Sequence, residues 1–135
     1  MKLKDIMTTN AECCEPSAPI AEIAGKMRDY NVGSIPVCEN RKLTGIVSDR
    51  DIVIRCVAEN ETDAAARDIM STQMVTGRPD MSAEEAGDLM AEHQIRRLPI
   101  VEDGRLVGIV ALGDLSVSHA DEKAGEALSE ISKPA

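Results

Sequence analysis

The chain carries one unit twice. Asp5-Ile6-Met7-Thr8 returns as Asp68-Ile69-Met70-Ser71, Ile35-Pro36-Val37 as Leu98-Pro99-Ile100, and Gly45-Ile46-Val47 with Asp51 as Gly108-Ile109-Val110 with Asp114, each sixty-three positions later. A constant offset leaves no room for insertions, so a whole structural unit is repeated. A copy of about 60 residues is marginal alone, and a repeated unit often cannot bury its apolar face by itself. The two copies are therefore expected to pack against each other, leaving pseudo-symmetric clefts between them in which function is to be sought.

Within 135 residues, aromatics make up only 1%, with Tyr30 the sole one, so the core must be aliphatic. A net charge of −9 repels a phosphate backbone over most of the surface, which argues against nucleic-acid or anionic-membrane binding and leaves a polyanion only a local basic spot. Met1-Lys2-Leu3-Lys4-Asp5 meets an acid before any apolar stretch develops, and no run approaches the ~18 apolar residues of a membrane span. Neither a signal peptide nor a spanning helix is expected, and the expected location is cytoplasmic. Cys13, Cys14, Cys38 and Cys56 lack CxxC spacing and no His lies at a metal-ligand interval, so no metal site is expected. Cys38 and Cys56 read as small hydrophobes. In the pair Cys13-Cys14 alternation sends one side chain inward and the other outward, with redox sensing as the alternative reading.

Element order repeats along both copies. In the first, a helical turn at Leu3–Met7 precedes an extended Glu12–Glu15, an amphipathic helix from about Pro19 to Tyr30, and strands Ser34–Glu39 and Lys42–Ser48 around the turn Asn40-Arg41. A second helix starts after Ser48 and carries Ile52, Val53, Cys56 and Val57. The polar stretch Glu59–Asp63 reads as a loop, and Ala64-Ala65-Ala66 opens the turn before Met70. In the second copy, Ser82-Ala83-Glu84-Glu85 is a capping box for a helix to about His93. Asp103-Gly104 turns Leu98–Val101 into Leu106–Val110. The Ala- and Glu-rich Asp121–Ile131 reads as a C-terminal helix without an internal counterpart.

Chemistry concentrates where the last strand of each copy meets the next helix. In Ser48-Asp49-Arg50-Asp51 the helix N-terminus and the Ser48 hydroxyl suit a phosphate, and Asp51 offers two oxygens to a vicinal diol such as ribose. The same S-x-x-D is also an ordinary capping arrangement. In the second copy Ala111 replaces the hydroxyl while Asp114 keeps the acid, which favours a ligand role for the aspartate and ranks the Ser48–Asp51 cleft first. Arg96-Arg97, before the central strand, form a local anion-attracting spot, unless salt bridges to Glu92 or Asp103 occupy them; Gly33-Ser34 stand at the matching positions. Without Phe or Trp, a bound base would lie between Ile46, Ile95, Ile109 and Val32, each of which also reads as plain core. His93 and His119 are isolated, and no catalytic residue is assigned.

The double unit, with Asp-Ile-Met near each start, Ile-Pro-Val or Leu-Pro-Ile-Val in the centre and Gly-hydrophobic-x-Ser-x-x-Asp at the end, resembles the CBS domain, named after cystathionine beta-synthase. Two in tandem resemble a Bateman module, here a bacterial stand-alone CBS pair. The resemblance implies an α+β fold of two βαββα repeats packed by their sheets around a pseudo-twofold axis. The divisions are repeat 1 at 1–59, a linker at 60–67, repeat 2 at 68–118 and a helical tail at 119–135. It implies a non-enzymatic regulatory or sensor module that binds AMP, ADP, ATP or S-adenosylmethionine in the cleft between repeats, with no required cofactor, and passes a change to an unknown client. Ser48 and Arg97, with Arg96, map onto phosphate contacts and Asp51 onto ribose. Arg50, Ile46, Ile95, Ile109 and Asp114 complete the candidate set, with Met70–Val75 framing the base at the Asp51 site. Homodimerisation is implied through the helices ending at Val57 and Leu115. A ligand-independent dimerisation or interaction protein is the alternative.

Overall fold

The computed structural model describes residues 1–116. The expected C-terminal helix, the 119–135 tail and His119 lie outside the described residues. The fold is α+β, and the chain divides into two compact units that do not coincide with the sequence repeats. One comprises Glu12–Met74; the other joins Met1–Ala11 to the chain from Val75 onward. The Asp-Ile-Met segment that begins each repeat thus folds onto the hairpin of the other repeat.

The Glu12–Met74 unit contains α1 (Ile20–Tyr30), β1 (Ser34–Glu39), β2 (Lys42–Ser48), α2 (Asp49–Asp51) and α3 (Ala66–Ile69). Pro19 is the N-cap of α1 and not its first helical residue, and Asn31 ends the helix in the left-handed region at φ 54°. The helix expected after Ser48 forms, but from Ile52 to Val57 it winds as a π-helix. β1 and β2 pair antiparallel, Ser34 opposite Ser48 and Glu39 opposite Lys42, with an irregularity where Thr44 is the extra residue on β2. Asn40 (φ 51°) and Arg41 (φ 69°) both turn left-handed, the geometry whose twist matches a two-residue hairpin. Ile23, Ile35, Val37, Val47 and Ile69 are the fully buried centre. The leading extended segment contributes one parallel bridge, Cys14 to Val37, where the resemblance implied a strand.

The other unit contains a 3-10 turn at Leu3–Asp5, then α4 (Ala83–His93), β3 (Arg97–Glu102), β4 (Arg105–Ala111) and α5 (Leu112–Ser116). The capping box read at Ser82 is present, its hydroxyl accepting from the Glu85 amide at 3.0 Å. Asp103 (φ 54°) and Gly104 (φ 80°) make the turn, and β3 pairs antiparallel with β4, Arg97 opposite Ala111. Leu3, Met90, Leu98, Ile100, Val110 and Leu115 are fully buried. Leu115, in the helix to which the resemblance assigned a dimer contact, is itself buried in the core of its own unit.

A proline in each central strand explains how the exchanged segments dock. Pro36 stands opposite Ile46 and Pro99 opposite Ile109. A proline has no N–H to give the ladder, so it costs nothing at a pair whose partner's groups point elsewhere. Those of Ile46 are spent on Ser71, with Ile46 N–H to Ser71 C=O at 3.0 Å and Ser71 N–H to Ile46 C=O at 2.9 Å. In the other unit Thr8 and Ile109 exchange the same pair at 2.9 and 3.0 Å. Close approach requires glycine beside each bridge. A Cβ on Gly45 would stand 2.6 Å from Met70 Sδ and 3.0 Å from the Ser71 carbonyl, and one on Gly108 would stand 2.6 Å from Met7 Sδ and 3.0 Å from the Thr8 carbonyl. The thioether can swing aside; the carbonyl is held in the ladder. Gly45→Ala and Gly108→Ala are each expected to lower stability by about 1–3 kcal/mol, the range for overpacking, measured by urea unfolding. Met70→Ala should recover part of the Gly45→Ala loss in a double-mutant cycle.

Candidate functional site

At the end of β2, the chain turns into α2 with a reciprocal capping box. The Ser48 amide donates to Asp51 Oδ2 at 2.9 Å and the Asp51 amide donates to Ser48 Oγ at 3.0 Å. The ordinary capping role is thus real. It does not exhaust either group: the Ser48 O–H can still donate, and a carboxylate has room for further donors on both oxygens. Asp51 is largely enclosed, its side chain 12% exposed, and Arg55 Nε stands 3.8 Å from its Oδ1. Arg55 Nη1 also reaches the carbonyls of Ile69 and Met70 at 3.2 and 3.4 Å. Ser48, Asp51, Arg55 and the Ile46–Ser71 bridge therefore form one connected locus, with Ile46 half-buried beside it and Arg50 exposed on α2.

The remaining candidates, Val32 apart, belong to the other unit. Arg97 pairs across the hairpin with Ala111 and feels the charge of Asp114, while the Arg96 carbonyl accepts from the Leu112 amide at 3.1 Å. Burial pulls the Arg97 guanidinium below its usual range, and the charge of Asp114 works in the opposite direction. Asp114 Oδ2 accepts from the Ala111 amide at 2.8 Å. Half of the capping box survives without the serine, which gives Asp114 a structural role as well. Ile109 is 4% exposed. Ile95 and Val32 pack against the cores of their units, so for these three the plain-core reading describes what is seen. Beside Ser48, the Asp49 amide donates to the Gly33 carbonyl at 2.9 Å.

Arg55 was not singled out from sequence. Its signal was an acid and a base four residues apart on one helix, Asp51 and Arg55, masked by the apolar residues around it. Among the described residues no group of His, Cys, Asp and Glu is placed to hold a metal ion, and no helix is long and apolar enough to cross a membrane. Of the paired cysteines, Cys14 is buried and Cys13 half-buried, as alternation requires.

Comparison with known proteins follows the same lines. The family model for the CBS domain matches twice, at residues 3–57 and 66–118. The CBS domain-containing protein YhcV of Bacillus subtilis (strain 168) is 49% identical over 132 residues, covering 96% of this chain and 94% of the relative. Among solved structures, CBSX2 in complex with AMP superposes with a TM-score of 0.77 at 26% identity, covering 90% of this chain and 98% of that one. The CBS domain pair of MJ0100 in complex with 5′-methylthioadenosine and S-adenosyl-L-methionine superposes with a TM-score of 0.74 at 28% identity, covering 87% and 94%. With both repeats matched and the fold shared, the chain belongs to the CBS-domain family as a tandem pair.

Proposed function

We propose that the protein is a regulatory module that binds an adenosine-containing ligand, AMP, ADP, ATP or S-adenosylmethionine, and passes the change to a partner protein. The observation that carries this reading is the enclosed Asp51 carboxylate, tied to Ser48 and set beside the Ile46–Ser71 bridge. Two family members of similar fold bind AMP or S-adenosyl-L-methionine and 5′-methylthioadenosine. In this reading Asp51 accepts the ribose diol, the Ser48 hydroxyl donates to phosphate, Ile46 lines the base and Arg50 draws in the anion. The second locus, Asp114 with Arg97, Arg96, Ile95 and Ile109, lacks the hydroxyl but has the paired arginines, so it ranks second for phosphate only through Ala111. No catalytic role and no required cofactor are proposed. Four cysteines as free thiols suit a reducing, cytoplasmic setting.

The homodimer belongs to the same proposal. Val53 and Val57, each 59% exposed, and Ile54, 47% exposed, place three aliphatic side chains on the π-helical segment with water on them. A second copy presenting the same face would cover them without any unpaired charge. Ligand-independent dimerisation is the second reading that this face supports.

Titration calorimetry of the four ligands separates the readings. Asp51→Asn keeps a capping oxygen but loses the charge, and is expected to weaken the best ligand at least about tenfold, the loss of one charge-assisted hydrogen bond. Its stability should change by no more than about 1 kcal/mol. Binding by wild type that is unchanged in Asp51→Asn would refute the assignment of the site, and no binding by wild type would leave dimerisation as the function. For the dimer, light scattering of Val53→Lys/Val57→Lys should report half the mass of wild type; equal masses would dismiss this face.

A further inference from the structure

A cavity of about 370 Å³ lies in the Glu12–Met74 unit, away from the Ser48–Asp51 capping box, and Cys13, Cys14 and Cys38 all line it beside Lys26 and Arg41. The Cys14 amide donates to the Pro36 carbonyl at 2.9 Å and the Cys38 amide to the Cys14 carbonyl at 2.8 Å, so the segment runs parallel to β1 with Cys14 level with Val37. Alternation then puts Cys14 with Val37 in the apolar core and Cys13 with Cys38 on the opposite face. The Cys13 thiol stands near enough to Cys38 to help push that thiol's pKa up. Lys26 Nζ holds the segment in place through the Cys13 carbonyl at 2.9 Å and Glu12 Oε1 at 3.2 Å. Nothing comparable exists at the matching positions of the second repeat, which are Thr76 and Val101.

We propose that Cys13 and Cys38 form a hydroperoxide-reactive dithiol, a modification site at which oxidation closes a disulfide between the Glu12–Glu15 segment and β1. Cys13 is the half-buried thiol and meets a solvent-borne oxidant first. Burial, reinforced by Cys13, pushes the Cys38 thiol up to about 12, and burial pushes Cys14 up to about 11, so neither initiates. The Cys13 sulfur attacks the hydroperoxide, the O–O bond breaks, and Cys13 becomes a sulfenic acid while its thiol proton passes to the departing oxygen, which leaves as alcohol or water. The Cys38 sulfur then attacks the Cys13 sulfur, the S–O bond breaks, and the departing hydroxide takes the Cys38 proton to leave as water. Two thiols and one hydroperoxide give one disulfide, one alcohol or water, and one further water.

Peptide mapping of the full-length protein after hydrogen peroxide treatment, without reductant, tests this. The expected product is an intrachain Cys13–Cys38 linked pair that dithiothreitol reverses. In Cys38→Ala the reaction should stop at Cys13 sulfenic acid, giving about tenfold more dimedone adduct than wild type, while Cys14→Ala should still cross-link. A Cys13–Cys14 or interchain bond, equal dimedone labelling of wild type and Cys38→Ala, or no reaction would overturn the proposal. If Cys38→Ala does not fold, the wild-type map decides alone.

Discussion

The structure depends on a two-bond backbone bridge made in each unit, Ile46 with Ser71 and Ile109 with Thr8. Each bridge fastens the Asp-Ile-Met segment of one repeat to the second strand of the other, and three sequence features exist to permit it. Pro36 and Pro99 take nothing from the groups that Ile46 and Ile109 need for the bridge. Gly45 and Gly108 let Met70 and Met7 lie over the strand. Ile69, fully enclosed, seats the segment in the core. Because Arg55 holds the carbonyls of Ile69 and Met70, the same bridge sets the position of the helix that carries Asp51. Repeat, core and candidate site are thus one mechanical system within the Glu12–Met74 unit.

Much of this was legible in the residues. Hairpins, the helices around Ile23 and Ala86, the Ser82 capping box and the split of Cys13-Cys14 into one inward and one outward thiol follow from periodicity and turn chemistry, though not which of the two is buried. Which hairpin each Asp-Ile-Met segment would join did not, because a period-two or helical pattern specifies a face and not a partner. Leu115 shows the same limit: an aliphatic residue on a helix signals burial, without saying whether the surface that covers it belongs to its own unit or another chain. The π-helical winding from Ile52 was invisible for a related reason, since apolar spacing over six residues does not distinguish hydrogen bonds to the fourth residue from those to the fifth.

Comparison of the two copies was informative in one respect and incomplete in another. It located the arginines and the missing hydroxyl, and it took the retained Asp114 as favouring a ligand role. The 2.8 Å bond from the Ala111 amide gives that acid a structural role as well: a capping box is two separable hydrogen bonds, and the acid keeps its own when the hydroxyl is gone. The distinction between the copies therefore rests on the chemistry each end can still offer. Cys13 and Cys38 make the same point, since the two thiols that line one cavity have Thr76 and Val101 at the matching positions of the second repeat.

The electrostatics of the two aspartates separates them further. Arg55 is 51% exposed and its Nε stands 3.8 Å from the enclosed Asp51, so the pair is long and screened by water on the arginine side. Exchanging that contact for a diol would therefore cost little, while Arg55 keeps its hold on the Ile69 and Met70 carbonyls. Arg97 is more buried and faces Asp114, where removing one charge leaves its partner poorly solvated and costs more. A site that must yield its internal partner to a ligand works best with the weaker pair. On a chain of net charge −9, the first locus combines an aspartate that can change partners with an arginine already anchored by backbone, and the proposal of an adenosine ligand at Ser48 and Asp51 rests on this combination more than on the helix end alone.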